Sequence, residues 1–314
     1  MRSNPLDITE LTLKRIGVLL DLRDADLAAL DTAKMLVDIL GIFTPKICFN
    51  LSPSPFDLDM VMRCVSRKAE ETLLSIITLV EAKQSYYAMP LLRPLCEEYL
   101  LAQYLCTLDR SIADKIIKEK TILDILKGIQ AQNKFFPEAA RIFQFTEFER
   151  LPDQENQKLE LQDRIATQQR KLRDLGVSIG WGRRDFPTAR YMADATQNGH
   201  VYDFFYHASS GAVHASFHHL ARMVWGESTF SVDNKNFSQY YGRFALTYGT
   251  WLTCLTMAMA ISYFPDHWPK DLKDSFSILF AFCIKPAIIQ KAPPIVTHYE
   301  LRWNKASNVD TTAT

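Results

Sequence analysis

Residues 244–264, "FALTYGTWLTCLTMAMAISYF", run for 21 positions without a charge, and this stretch constrains the fold more than any other. It is long enough to cross a bilayer or to fill the centre of a soluble bundle. Four Thr, one Ser and one Gly dilute it, and no Lys/Arg cluster flanks it to set an orientation. A fully buried central helix is therefore expected, with no membrane span. Such a helix needs apolar faces to cover it, and the chain of 314 residues, 47% hydrophobic and 23% charged, supplies them.

The rest of the chain carries helical periodicity. With only 11 Gly and no alternating β-branched runs between turn signals, no significant β-sheet is expected. The fold class is all-α: a single helical bundle with a long polar helical arm. Residues 1–50 read as an N-terminal helical extension, with helices over 8–22 and 25–40, the second ending at Gly41. The bundle core spans 57–264. Asp57 is placed to cap its first helix, and Pro90 and Pro94 require a turn or kink before "LCEEYLLAQYLC". A charged amphipathic segment follows over 109–129. Residues 137–175 form the arm, polar on most faces, with Leu161, Ile165, Gln168, Leu172 and Leu175 as a narrow seam. That seam suits packing across a bundle, pairing with another protomer, or a solvated surface. A short helix from Pro187 to Thr196 precedes the stop at "QNG". Residues 265–314 are read as a C-terminal extension with a disordered tail.

Lys+Arg and Asp+Glu number 36 each, so no chain-wide electrostatic footprint points to nucleic acid or an anionic surface, and any RNA site must be local. The six cysteines are scattered and read as reduced thiols. Together with an N-terminus lacking a long apolar segment, they suggest a cytoplasmic location.

Polar chemistry concentrates in "FYHASSGAVH", residues 205–214, within a helix expected from His200 to Trp225. His200, His207, His214 and His218 would form one stripe on that helix. They cannot share one metal ion, because seven residues rise ~10.5 Å while ligands sit ~2.0–2.1 Å from zinc. Only His214 and His218 could chelate together, and no His-Glu-x-x-His pattern supplies the rest. No cofactor is indicated. Tyr206, Ser210 and His214, at i, i+4 and i+8, form a tighter strip. In "MPLLRPLCEEYLLAQYL", Arg93 and Glu97 stand at i and i+4 on a strongly apolar helix, where an arginine must be paired. Two readings of these five residues stay open. They are a buried polar island that fixes helix register, or a site in which His214 moves protons and Arg93 stabilises an anion.

"LLRPLCEEYLLAQYL", followed by "ARYMADATQNGHVYDFFYHASSGAVHAS", resembles a bacterial all-helical family of unknown function. The pattern is Arg-x3-Glu, then Tyr-x3-Ser-x3-His, carried here by Arg93, Glu97, Tyr206, Ser210 and His214. The resemblance implies an all-α bundle that clusters those residues. It further implies a distant likeness to the HEPN bundles, many of them metal-independent ribonucleases of toxin and anti-phage defence systems, often acting at a dimer interface. Their arginine shortly before the histidine has no counterpart in "YHASSGAV", so Arg93 would supply it from another helix. RNA and a protein partner or homodimer are the partners this implies. The alternative is a non-catalytic helical interaction module; a third is a metal-dependent hydrolase using His214 and His218.

Overall fold

Helix capping and buried stripes account for most of the architecture. The computed structural model describes residues 25–48, 56–143, 154–182, 184–214, 216–224, 232–233, 235–267, 270–284, 292–298 and 300–302. Among these there are ten α-helices and no strand. The fold is all-α. The helix expected over 8–22, Trp225 and the tail beyond 302 lie outside the described residues.

Helix α1 (Ala25–Cys48) does not end at Gly41 but continues through Pro45. Its buried stripe Ala33, Leu36, Leu40 and Thr44 carries on past the glycine, and the Thr44 hydroxyl donates to the Leu40 carbonyl at 3.1 Å. Tertiary packing overrides the local stop signals there. Helix α2 (Leu58–Glu81) starts as expected: the Asp57 carboxylate accepts from the Met60 N–H at 2.7 Å, a capping bond. A 3-10 turn (Ser85–Leu91) containing Pro90 then leads into α3 (Leu92–Cys106), with Pro94 in its first turn. The expected 109–129 segment is longer, α4 (Arg110–Phe143), and so takes in the start of the expected arm.

Over Gln154–Ser178 the arm is helix α5. Its seam is neither solvated nor unpaired. Leu161, Ile165 and Leu172 bury against Leu123 and Leu126 of α4, and Gln168 Nε2 donates to the Glu119 carbonyl at 2.9 Å. A polar residue at a seam position is tolerated because its hydrogen bond is made. Helix α6 (Ala189–Ala195) is capped by Thr188, whose hydroxyl accepts from the Tyr191 N–H at 3.2 Å; Pro187 thus precedes the cap instead of opening the helix. Gln197, at φ 59°, marks the expected stop.

Helix α7 (Gly199–Val213) corrects the sequence reading most: it ends at His214, whose backbone is extended, and a separate α8 (Phe217–Val224) follows. All but the last residue of the uncharged run lies in α9 (Ser238–Tyr263). It is long and apolar enough to cross a membrane, and 61% of its most apolar window is buried within the protein. Two of its threonines are accommodated by backbone acceptors: Thr256 donates to the Leu252 carbonyl at 3.0 Å and Thr253 to that of Ala69 at 3.5 Å. Gly249 lets α9 lie close to α2, since a Cβ there would sit 2.8 Å from Ile76 Cδ1. Helix α10 (Lys270–Ile284), unforeseen in the sequence, covers α1 and α9.

The chain divides into two compact units. One, drawn from residues 1–51, 62–102 and 197–314, packs α9 against α1, the 3-10 turn and α10, with α7 against the same turn. The other, from 52–61 and 103–196, is built on the α4/α5 pair. Every residue of the candidate site lies in the first.

Candidate functional site

The break after α7 shapes the site. The His214 N–H still makes a helical bond to the Ser210 carbonyl at 2.8 Å, after which the backbone opens to ψ 154°. The Ser216 carbonyl then accepts the first bond of α8, from Leu220 at 2.9 Å. His218 therefore leaves the stripe expected for it. The turn is tight because α7 and α8 meet at Gly211: a Cβ there would lie 2.3 Å from His219 Cδ2.

Four of the five expected site residues come together directly, and Ser210 lines the adjoining cleft. Arg93 Nε donates to Glu97 Oε1 at 2.9 Å, and Arg93 Nη1 reaches His214 Nε2 at 3.4 Å. The guanidinium also lies 5.2 Å from the centroid of the Tyr206 ring. The Glu97 hydrogen bond holds the Arg93 guanidinium above its ordinary pKa. The Arg93 and Glu97 side chains are 27% and 37% exposed, and His214 and Tyr206 are exposed as well. The cluster is therefore wet. A sealed island holding helix register, the reading left open above, does not describe it.

Beside it opens a cleft of about 240 Å³ lined by His207, Ser210, Gly211, His214, Ser216, His218, His219 and Ile295. Four imidazoles and two hydroxyls face one small space, with no carboxylate among the lining side chains. Because a guanidinium has donors only, its contact with His214 requires Nε2 to be the accepting nitrogen.

The far wall of the cleft rests on a cluster that the sequence reading missed. Arg222 and Glu300 side chains, both 2% exposed, form an ion pair. Arg222 Nε donates to Glu300 Oε1 at 2.5 Å and Nη2 to Oε2 at 2.8 Å, with a further bond from Nη2 to the Ile295 carbonyl at 2.6 Å. The guanidinium stacks 4.6 Å from the Tyr240 ring centroid. Burial pushes the Glu300 carboxyl up, but the hydrogen bonds from Arg222 and from the Thr297 N–H outweigh it and bring it down to about 2. The carboxylate also binds His218, whose Nε2 lies 2.5 Å from Oε1. The neighbouring His219 is 6% exposed. Its Nδ1 is buried with no hydrogen-bond partner among the described residues. Burial first, then the charge of Arg222, lowers its pKa to about 4.

An arginine four residues after His218 on a short helix was a legible signal for part of this cluster. Glu300, 78 positions further along, offered none. The same geometry bears on the pair His214/His218, the one that a single helix would have let chelate together. The two no longer share a helix, His218 is committed to Glu300, and among the described residues no group of three His, Cys, Asp or Glu is arranged to hold a metal ion.

An all-α chain presenting an Arg-x3-Glu helix to a Tyr-x3-Ser-x3-His helix is the class that fold and site define. Residues 59–231 match the model of a family of unknown function (DUF5677), and the chain belongs to that family. The match takes in Arg93, Glu97, Tyr206, Ser210, His214, His218 and Arg222, while Glu300 lies beyond it. No curated protein and no solved structure matches the chain.

Proposed function

We propose that this chain is a metal-independent endoribonuclease, the activity associated with HEPN-like bundles, and that Arg93 and His214 carry its chemistry. The observation behind this reading is the meeting of Arg93 Nη1 with His214 Nε2 at 3.4 Å across 121 positions of chain, at a solvent-reachable cleft. A fixed cation beside an accepting imidazole nitrogen suits phosphodiester transfer. With Arg93 Nη1 turned from it to the phosphate, His214 Nε2 takes the proton of the ribose 2′-hydroxyl as that oxygen bonds to phosphorus. The phosphorus–O5′ bond breaks, and with a proton from a general acid or water at O5′ the products are a 2′,3′-cyclic phosphate and a 5′-hydroxyl. Arg93 donates to the non-bridging oxygens as charge gathers on them. Tyr206, stacked on Tyr202 with centroids 5.5 Å apart, offers an exposed ring beside the arginine for an unpaired base.

Purified protein is expected to cut single-stranded RNA in excess EDTA, and His214→Ala and Arg93→Ala to abolish cutting. Intact RNA with the unaltered protein, or unimpaired cutting by His214→Ala, would refute the proposal. A homodimer is a second reading, supported by Val213, Phe217, Leu220 and Val224, all exposed on α7 and α8, with Phe217 at 92%. Sedimentation equilibrium should then give a dimer that Phe217→Ser dissociates; a monomer at all concentrations removes this reading.

A further inference from the structure

The cleft contains two histidines whose hydrogen-bond partners have opposite character. His214 Nε2 faces Arg93, which can only donate. His218 Nε2 faces Glu300 Oε1 at 2.5 Å, and an ionised carboxylate can only accept. Glu300 is fixed in that state and position by Arg222 on both oxygens and by the Thr297 N–H at 2.6 Å. Nε2 of His218 therefore carries hydrogen, whereas Nε2 of His214 offers a lone pair. The adjacent His219 stays neutral down to about pH 4, because burial disfavours its charged form. Both His214 and His218 line the cleft.

We infer that His218 is a second catalytic residue of this site, the general acid that protonates the leaving 5′-oxygen while His214 acts as base, with Glu300 as its positioning residue. The inference rests on the ribonuclease reading above. The protons balance: His214 Nε2 takes one from O2′, the His218 ring, whose Nε2–H stays on Glu300, gives its Nδ1 proton to O5′, and after the step the two rings have exchanged protonation states. Arg222 already compensates the Glu300 charge, so what Glu300 supplies to His218 is chiefly orientation, the role of a carboxylate behind a histidine in hydrolytic triads.

A leaving group that departs without a proton separates the two roles. The substrates are an oligonucleotide with a single ribonucleotide and the same oligonucleotide with a bridging 5′-sulfur at the scissile bond. His218→Gln keeps a donor for Glu300 but has no proton to transfer. It is expected to slow the oxygen substrate by about 10²-fold or more and to leave the sulfur substrate near the unaltered rate. His214→Gln should slow both. Turnover of the sulfur substrate itself reports that the variant is folded, and His218→Ala provides a second variant for the same contrast. Equal slowing on both substrates by His218→Gln, no slowing at all, or the selective pattern in His214→Gln instead, would overturn the assignment. Failure of the unaltered protein to cut either substrate would refute the ribonuclease reading, an outcome distinct from these.

Discussion

The same three residue types are assembled twice in one compact unit, with opposite consequences. Arg93, Glu97 and His214 meet in water, the ion pair at 27% and 37% exposure. Arg222, Glu300 and His218 meet with the pair at 2% and 2%. In the first cluster the pair lies within one helix at i, i+4, and solvent screens it, so its contribution to stability is under ~1 kcal/mol. Arg93 remains partly open to solvent. In the second, desolvation is costly and is offset because Arg222 Nε and Nη2 and both carboxylate oxygens are bonded. One cluster leaves its polar groups open to solvent; the other seals its ion pair away from it.

Removing one partner of the dry pair gives the largest expected effect. Glu300→Ala leaves the Arg222 charge buried without its partner and should lower unfolding free energy by about 3–5 kcal/mol, read from urea denaturation. The double replacement Arg222→Met with Glu300→Leu should be milder than the single change, because no uncompensated charge remains. A loss below about 1 kcal/mol in Glu300→Ala would erase the contrast between the clusters.

Acid should attack the dry cluster through two groups acting in the same direction. Glu300 stands at about 2 in the fold against an ordinary value of 4.5. Its depressed pKa contributes stability that is complete above pH 4.5 and lost as pH falls from 4.5 towards 2. His219 stands at about 4 against 6.5. The unfolded chain takes up that proton first, so stability is complete above pH 6.5 and declines between 6.5 and 4. Within each window the slope approaches ~1.4 kcal/mol per pH unit for the group concerned. Thermal melts from pH 8 to pH 3 should therefore show a decline that begins near 6.5. His219→Gln should remove the upper part of it and leave the lower. An unchanged profile in that variant would mean that His219 does not titrate with unfolding.

Gly211 connects the two clusters, and its replacement ranks next. Alanine favours a helix by about 1 kcal/mol over glycine, yet a Cβ here would meet His219 Cδ2 at 2.3 Å and Nε2 at 2.7 Å. The overpacking cost of about 1–3 kcal/mol should win, so Gly211→Ala is expected to lower the melting temperature. A rise would show that α7 and α8 separate at no cost.

What the sequence made legible follows from how local each signal is. The all-α class, the cap at Asp57 and the Arg93/Glu97 pairing are written in spacings of a few residues. So was the grouping of Tyr206, Ser210 and His214, because each is one helical turn from the next. The end of α7 was not, because no proline or glycine marks it: Gly211 lies inside the helix, and the break comes at His214 where α8 must fold back onto Gly211. Glu300 was hidden for a different reason. Its partners lie 78 and 82 positions away, and Glu300 itself sits in a segment whose Pro-rich pattern announces only a loop. A four-histidine stripe was visible, but the cleft takes His207, His214 and His218 from it and exchanges His200 for His219.

The smallest stability effect is the sharpest test of the wet cluster. Glu97→Ala removes the 2.9 Å bond to Arg93 Nε without burying a charge, since Arg93 remains open to water. Unfolding free energy should change by about 0.3–0.5 kcal/mol, the value of an exposed i, i+4 pair. If the Arg93 contact to His214 serves chemistry, cleavage should fall more than stability does, because the guanidinium loses the carboxylate that fixes its orientation. Arg93→Ala should fall further still, and Arg93→Lys should not restore activity, since an ammonium cannot engage His214 and two phosphate oxygens in one plane. A stability loss above about 2 kcal/mol in Glu97→Ala would place this cluster with the buried one, where breaking a pair costs ~3–5 kcal/mol. The difference between the two would then be one of position alone.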